Sequence, residues 1–275
     1  MLKIITKTPM KILVKILATV AIVSTSLFAG AMVAQAAGGG EHVEVQDWGF
    51  KGPFGNYDRP AMQRGYQVYK EVCSSCHALE HLSFRHLGDK GGPFYDPEFP
   101  NPNDNPVVKA FAKDWTVERI DQDNGDPVDD TGIPADQFPD IFPNAIAAAA
   151  SNGGAVPPDL SIIIPARPGG ADYLYALLTG YDSDESHDGV YHNAVFPGGA
   201  IKMAPPLSDD LVEYADGTQA TTDQMARDVV EFLAWSGDPK MEVRKKVGFA
   251  TFLFLFIFAL LLFMTYKEVW KDVEH

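Results

Sequence analysis

Cysteine is nearly absent: 275 residues contain two, Cys73 and Cys76. With no second pair, a structural zinc site built from two such pairs is disfavoured, and so is a disulfide framework. Basic residues are also scarce, 22 Lys+Arg against 37 Asp+Glu. That argues against nucleic acid as a partner, since a phosphate-binding surface needs a basic stripe. Strand signal is thin as well. The apolar, β-branched LSIIIPA (Leu160–Ala166) is interrupted by Pro165, so a long strand is not expected there. Internal repeats are lacking too.

Apolar residues, by contrast, are concentrated at the two ends. The first segment carries Lys3, Lys7, Lys11 and Lys15 without an acidic residue, then the run ILATVAIVSTSLFAGAMV, then Ala34-x-Ala36. Basic, apolar and small-residue parts in that order predict a secretory signal over residues 1–36. A retained anchor is the alternative, and the glycines after Ala36 favour removal. Without those lysines, 18 basic residues face 37 acidic ones, a net of about −19.

The second apolar segment, Val247–Tyr266, holds no charge over twenty residues. As a helix it rises about 30 Å, the thickness of a bilayer's hydrocarbon core. Arg244, Lys245 and Lys246 flank one end, and Tyr266, Lys267, Trp270 and Lys271 the other. The flanking charges are nearly matched and do not orient it. An exported body followed by a stop-transfer helix does: a periplasmic domain over 37–243, a single span over 247–266 in the cell inner membrane and its lipid, and a cytoplasmic tail over 267–275.

The body between reads as short helices joined by long loops, in keeping with 20 prolines and 24 glycines. A first helix is expected from Pro60 to about Leu79, capped by Asp58, with Met62, Tyr66, Tyr69, Val72, Cys73 and Cys76 on its apolar side. Others are expected from Asn144 to Gly153 or Gly154, and over ADYLYALLTGY ending at Gly180. The last begins at Thr221, with Gln224 at capping-box spacing and an apolar stripe of Met225, Val229, Phe232 and Leu233. SGDP after Trp235 stops it. The acidic stretch Asp121–Asp140 reads as an exposed loop.

Both cysteines sit in EVCSSCH (Glu71–His77), with His77 directly after the second. On a helix, positions i, i+3 and i+4 share a face, so two sulfurs and an imidazole point one way. C-x-x-C-H is the attachment run for c-type haem: two thioethers hold the porphyrin while the histidine reaches the iron. A thioredoxin-like dithiol would want a βαβ context that this chain lacks, and a simple disulfide does not require His77. One covalent haem c is the expected cofactor.

The iron's sixth position decides the chemistry. A second strong ligand makes an electron carrier; an open position makes a gas-binding or peroxidatic centre. Met62, Met225 and Met241 read as core or membrane-proximal filler. His81 and His86 lie close to the attachment turn, and His187 and His192 lie in an acidic loop. Met203, in the stiff loop FPGGAIKMAPPL (Phe196–Leu207), is favoured on spacing, with the histidines of that acidic loop still open.

The runs RGYQVYKEVCSSCHAL (Arg64–Leu79), NGGAVPPDLSIIIPARPGGADYLYALLTGY (Asn152–Tyr181) and FPGGAIKMAPPL, with the C-terminal anchor, occur together and in this order. In these the chain resembles the cytochrome c1 family of α-proteobacterial type, haem subunits of the quinol–cytochrome c reductase (bc1) complex. The resemblance implies a mainly α, class I c-type cytochrome-like haem domain with long loops and one C-terminal transmembrane helix. It implies Met203 as sixth ligand opposite His77, Arg167 and Tyr173 at the haem propionates, and Asn152, Pro157 and Pro158 lining the crevice. It further implies an electron-carrier subunit without a substrate site of its own. The electron would come from a Rieske iron–sulfur protein and go to a soluble or membrane-bound c-type cytochrome, with the anchor beside cytochrome b. The alternatives are a membrane-anchored cytochrome of another respiratory complex, or a haem enzyme or sensor with an open sixth site. Asp182, Asp184, Glu185 and Asp188 are candidates for steering a basic partner. Asp121–Asp140 departs from the family's usual sequence, and the extra disulfide of some bacterial members cannot form.

Overall fold

The computed structural model describes residues 43–272; the signal expected over 1–36 lies outside the described residues. The domain is organised by two helices from opposite ends of the chain, α1 (Arg59–Glu71) and, far later, Thr222–Gly237, which make the most extensive helix–helix contact. Between them come α2 (Pro106–Lys113), α3 (Ala145–Ser151), α4 (Ile163–Ala166) and α5 (Gly170–Thr179). Thr222–Gly237 is then α6, and Met241–Val269 is α7.

The caps explain the helix starts. Asp58 accepts the Ala61 N–H at 3.3 Å with Pro60 in the first turn, and Thr221 accepts the Gln224 N–H at 3.1 Å. Asn144 caps α3 and Gly180 follows α5, as the pattern predicts.

The α1–α6 crossing is close because Gly65 lies in it. A Cβ there would stand 2.0 Å from the Asp228 carbonyl oxygen. Beside it, Arg64 grips the buried Asp228 carboxylate with both Nε and Nη2 at 2.9 Å. Tyr66, Tyr69, Phe232 and Trp235 are buried around the crossing, with Tyr66 and Phe232 rings 5.6 Å apart. Each such side chain contributes roughly 2–3 kcal/mol through burial.

Two expectations are corrected. The first helix stops at Glu71 rather than near Leu79. Ser74 Oγ donates to the Lys70 carbonyl at 2.6 Å and Ser75 Oγ to Val72 at 3.0 Å. Hydroxyls that bond the preceding turn compete with continuation of the helix. Strands are also more frequent than expected: β1 (Thr116–Ile120) pairs with β2 (Pro127–Thr131) antiparallel, so part of the acidic stretch is an exposed hairpin. β3 (Tyr181–His187), β4 (Val190–Asn193) and β5 (Ala200–Ile201) form a second antiparallel sheet. Asp188 and Gly189 make its first turn at φ 55° and 71°, a left-handed pair that Asp-Gly tolerates. LSIIIPA holds the short α4, not a strand.

Helix α7 runs 29 residues, and its apolar stretch is exposed on every side. An all-round apolar helix of that length, unburied by its own domain, is suited to lipid.

Candidate functional site

The attachment turn begins where α1 ends. Cys73–Ser75 form one 3₁₀ turn, so the shared helical face expected for Cys73, Cys76 and His77 is replaced by a tighter bend. The Cys73 carbonyl accepts from both Cys76 N (3.1 Å) and His77 N (2.9 Å), which still gathers the three side chains in one turn. Tyr69 on α1 donates its hydroxyl to the His77 carbonyl at 3.1 Å. Cys73 and Cys76 are not joined to each other, and burial pushes the Cys73 thiol up to about 12. Among the described residues no three His, Cys, Asp or Glu side chains group as a metal site.

His77 carries the sharpest detail. Its Nδ1 lies 2.8 Å from the Pro158 carbonyl oxygen. A carbonyl only accepts, so Nδ1 bears the proton and Nε2 keeps its lone pair. Burial lowers the imidazole's pKa, which favours the neutral form. A neutral imidazole with Nδ1–H fixed to a carbonyl is what an iron-ligating histidine requires. The donor set therefore fits a c-type haem.

Pro158 is placed by a zipper of bonds that spacing did not foreshadow. Leu160 N donates to Ala78 O (3.0 Å), Glu80 N to Asp159 Oδ2 (2.8 Å) and His81 N to Ser161 Oγ (3.0 Å). Ser236 Oγ, on α6, closes it by donating to the Ser161 carbonyl at 2.8 Å. Pro158 thus stands against the attachment turn, with Pro157 next to it in the chain.

Met203 follows β5, half-buried, and its carbonyl accepts the Tyr181 hydroxyl at 3.0 Å. The neighbouring Lys202 ammonium bonds the Gly153 carbonyl, tying this loop to the turn after α3 where Asn152 donates to the Ala148 carbonyl at 2.7 Å. Arg167 is exposed at the end of α4. Its charge reaches the half-buried Tyr173, whose phenol burial holds above its usual range while Arg167 opposes that rise. The candidates therefore fall into three groups: Cys73, Cys76, His77 and Pro158 with Pro157; Asn152 with Met203; Arg167 with Tyr173. Val72, Cys73, Ile164, Tyr173, Tyr181 and Met203 all pack half-buried against one core, which joins the groups.

Five of the competing side chains are buried or paired elsewhere. Met62, Met225 and Met241 are buried. His86 Nδ1 accepts the Ser83 N–H at 3.0 Å, and His192 is paired with Asp182. Sequence reasoning placed Tyr69 on the apolar face beside the cysteines but missed the hydroxyl bonds by which Tyr69 and Tyr181 brace the two ligand loops. Both lie within segments already singled out, but a tyrosine at helical spacing reads first as core.

A helical domain with a single C-x-x-C-H turn, a histidine held by its Nδ1–H and, among the described residues, one membrane-length helix defines a membrane-anchored c-type cytochrome. The model of the Cytochrome C1 family matches residues 48–273, and the chain belongs to that family. It is 41% identical over 280 residues to the cytochrome c1 of Rhodospirillum rubrum, covering 92% of this chain and 99% of that one. It is 40% identical to "Cytochrome c1, heme protein, mitochondrial" of Saccharomyces cerevisiae over 90% of this chain and 78% of that one. With the "Cytochrome b/c1" of Bradyrhizobium diazoefficiens it shares 44% identity over 90% of its length, spanning 38% of that longer chain. The family carries covalently bound haem c and is the haem subunit of the bc1 complex.

Proposed function

We propose that this chain is the haem-bearing electron carrier of a bc1 complex, taking one electron from a Rieske iron–sulfur protein and passing it to a soluble or membrane-bound c-type cytochrome. Cys73 and Cys76 would hold the haem by thioethers, and His77 and Met203 would supply the two ligands to its iron. The observation that carries the reading is the Nδ1–H bond from His77 to Pro158, which leaves Nε2 as the only available donor. Bound haem supplies a one-electron couple, and a methionine ligand raises its potential. The protein's part would be to hold the iron with His77 and Met203, to exclude water with the loops around Asn152, Pro157 and Pro158, and to pair the haem's carboxylates with Arg167 and Tyr173. A guanidinium fork suits a carboxylate that is costly to desolvate unpaired. The haem domain lies in the periplasm, the C-terminus in the cytoplasm, and Val247–Tyr266 packs beside cytochrome b.

Met203→Leu tests the ligand set. The variant is expected to show a changed spectrum, a lower midpoint potential and carbon monoxide binding by the reduced protein. An unshifted potential with no new ligand binding would place the sixth ligand elsewhere. Carbon monoxide binding by the unaltered protein would favour an open-site haem protein instead. Co-purification with cytochrome b and a Rieske subunit separates the bc1 reading from that of another respiratory complex.

A further inference from the structure

The segment Gly49–Asn56 (GFKGPFGN) has no part in the site above, yet it is tightly constructed. Its neck is closed by Asn56 N donating to the Gly49 carbonyl at 3.0 Å, with Lys51 N to Trp48 O at 3.0 Å beside it. A Cβ at Gly55 would stand 2.2 Å from the Lys51 carbonyl oxygen, so only glycine allows the chain to double back there. Gly52 turns at φ 77°.

The loop is fastened to α7 from within. Lys245 Nζ donates to the Phe50 and Gly55 carbonyls at 2.6 and 3.2 Å. Just after the loop, Tyr57 N donates to Glu242 Oε1 at 3.0 Å, and the Tyr57 hydroxyl reaches Ala234 and Asp238 carbonyls at 3.0 and 3.2 Å. So held, the loop presents Phe54, 72% exposed, edge-on to Phe249 with ring centroids 5.7 Å apart. Phe249 lies two residues into the apolar run that starts at Val247, about 3 Å along the helix axis.

We propose that the Gly49–Asn56 loop is a second membrane-contacting element, with Phe54 seated in lipid at the boundary between headgroups and acyl chains. The proposal rests on α7 crossing the bilayer, and three features favour lipid as the occupant. The patch is continuous with the exposed apolar surface of α7. The far end of the helix carries Tyr266 and Trp270 as interfacial aromatics, whereas Met241–Phe249 contains neither Trp nor Tyr, so Phe54 supplies the missing ring from outside the helix. A single large apolar side chain framed by Pro53 and two glycines suits a fluid interface. It is far smaller than the ~800 Å² per side of a specific protein contact.

The role follows from rigidity. With one helix alone, the haem domain could swing about the residues near Met241; a second contact in the same lipid plane fixes its tilt. The test uses the full holoprotein in its complex, reconstituted in phosphatidylcholine liposomes. Both cysteines of this chain are then consumed as thioethers, so Phe54→Cys supplies its one free thiol for a nitroxide label. The complex with Phe54 unaltered gives the background from other subunits, and Asp123→Cys in the exposed β1–β2 turn is the aqueous control. At position 54 the label is expected to be more accessible to oxygen than to a water-soluble nickel complex, with the order reversed at position 123. Adding Lys245→Met, which frees the loop, should raise nickel accessibility at 54. A label at 54 as nickel-accessible as the control would overturn the proposal. So would one shielded from both reagents, since that reports a protein neighbour. An unmoved signal in the Lys245→Met background would refute the fastening by Lys245.

Discussion

Gly65→Ala sets two effects against each other at the α1–α6 crossing. Within an isolated helix, alanine is favoured over glycine by about 1 kcal/mol. Here the new methyl would meet the Asp228 carbonyl oxygen at 2.0 Å, its carbonyl carbon at 2.6 Å and Phe232 Cβ at 2.8 Å. Two of these are backbone atoms and cannot rotate away. Restoring ordinary contact requires the helices to part by roughly 1.4 Å, which forfeits a large share of the dispersion energy across the interface. The parting also stretches the Arg64–Asp228 pair and loosens Tyr66, Tyr69 and Phe232. Overpacking of this kind costs about 1–3 kcal/mol, more where backbone must move. The expected net loss is about 2–3 kcal/mol, or a fall of roughly 5–10 °C in melting temperature for a domain of this size. Circular dichroism of the detergent-solubilised holoprotein reads it. Gly248→Ala is the matched control, because a Cβ there meets nothing within 4 Å. A melting temperature for Gly65→Ala equal to or above the parent's would refute the packing account.

Burial raises the Glu231 carboxyl from 4.5 to about 7, although it accepts the Asp58 N–H at 2.8 Å. Between those pH values the folded chain keeps a proton that the unfolded chain has released, so stability falls as pH rises through the window. Glu231→Gln removes this dependence and is expected to gain up to about 3 kcal/mol on the parent between pH 4.5 and 7.5; parallel denaturation midpoints across that range would contradict it. Tyr181→Phe deletes the bond to the Met203 carbonyl and should weaken the hold on that loop by about 1 kcal/mol. The reduced variant is then expected to admit carbon monoxide at a lower denaturant concentration than the parent, and identical curves would show that the hydroxyl does not brace the ligand.

Helix starts were legible because capping is local: Asp58, Asn144 and Thr221 act on N–H groups three residues away. The anchor was legible for a similar reason, since length and lack of charge are read directly from Val247–Tyr266. The end of α1 was not, because the apolar period runs on through Cys73 and Cys76 while Ser74 and Ser75 divert the backbone. The Asp188–Gly189 turn was written plainly, but its flanking residues, DSDESH, lack the apolar alternation that would mark strands. Of the site, the attachment turn was legible as a motif. The partnership of His77 with Pro158 was not, since it depends on a zipper between segments some eighty residues apart.

The two helices that make the core lie at opposite ends of the domain, which orders events in time as well as space. His77 is made roughly 160 residues before Gly237, an interval of about 8–30 s at ordinary rates of synthesis. Throughout it, α1 has no α6 to close against, and the turn that begins at Cys73 has no complete core to pack on. The core is completed only four residues before α7 begins. Chain order thus leaves the attachment turn uncovered until the last helix of the domain exists.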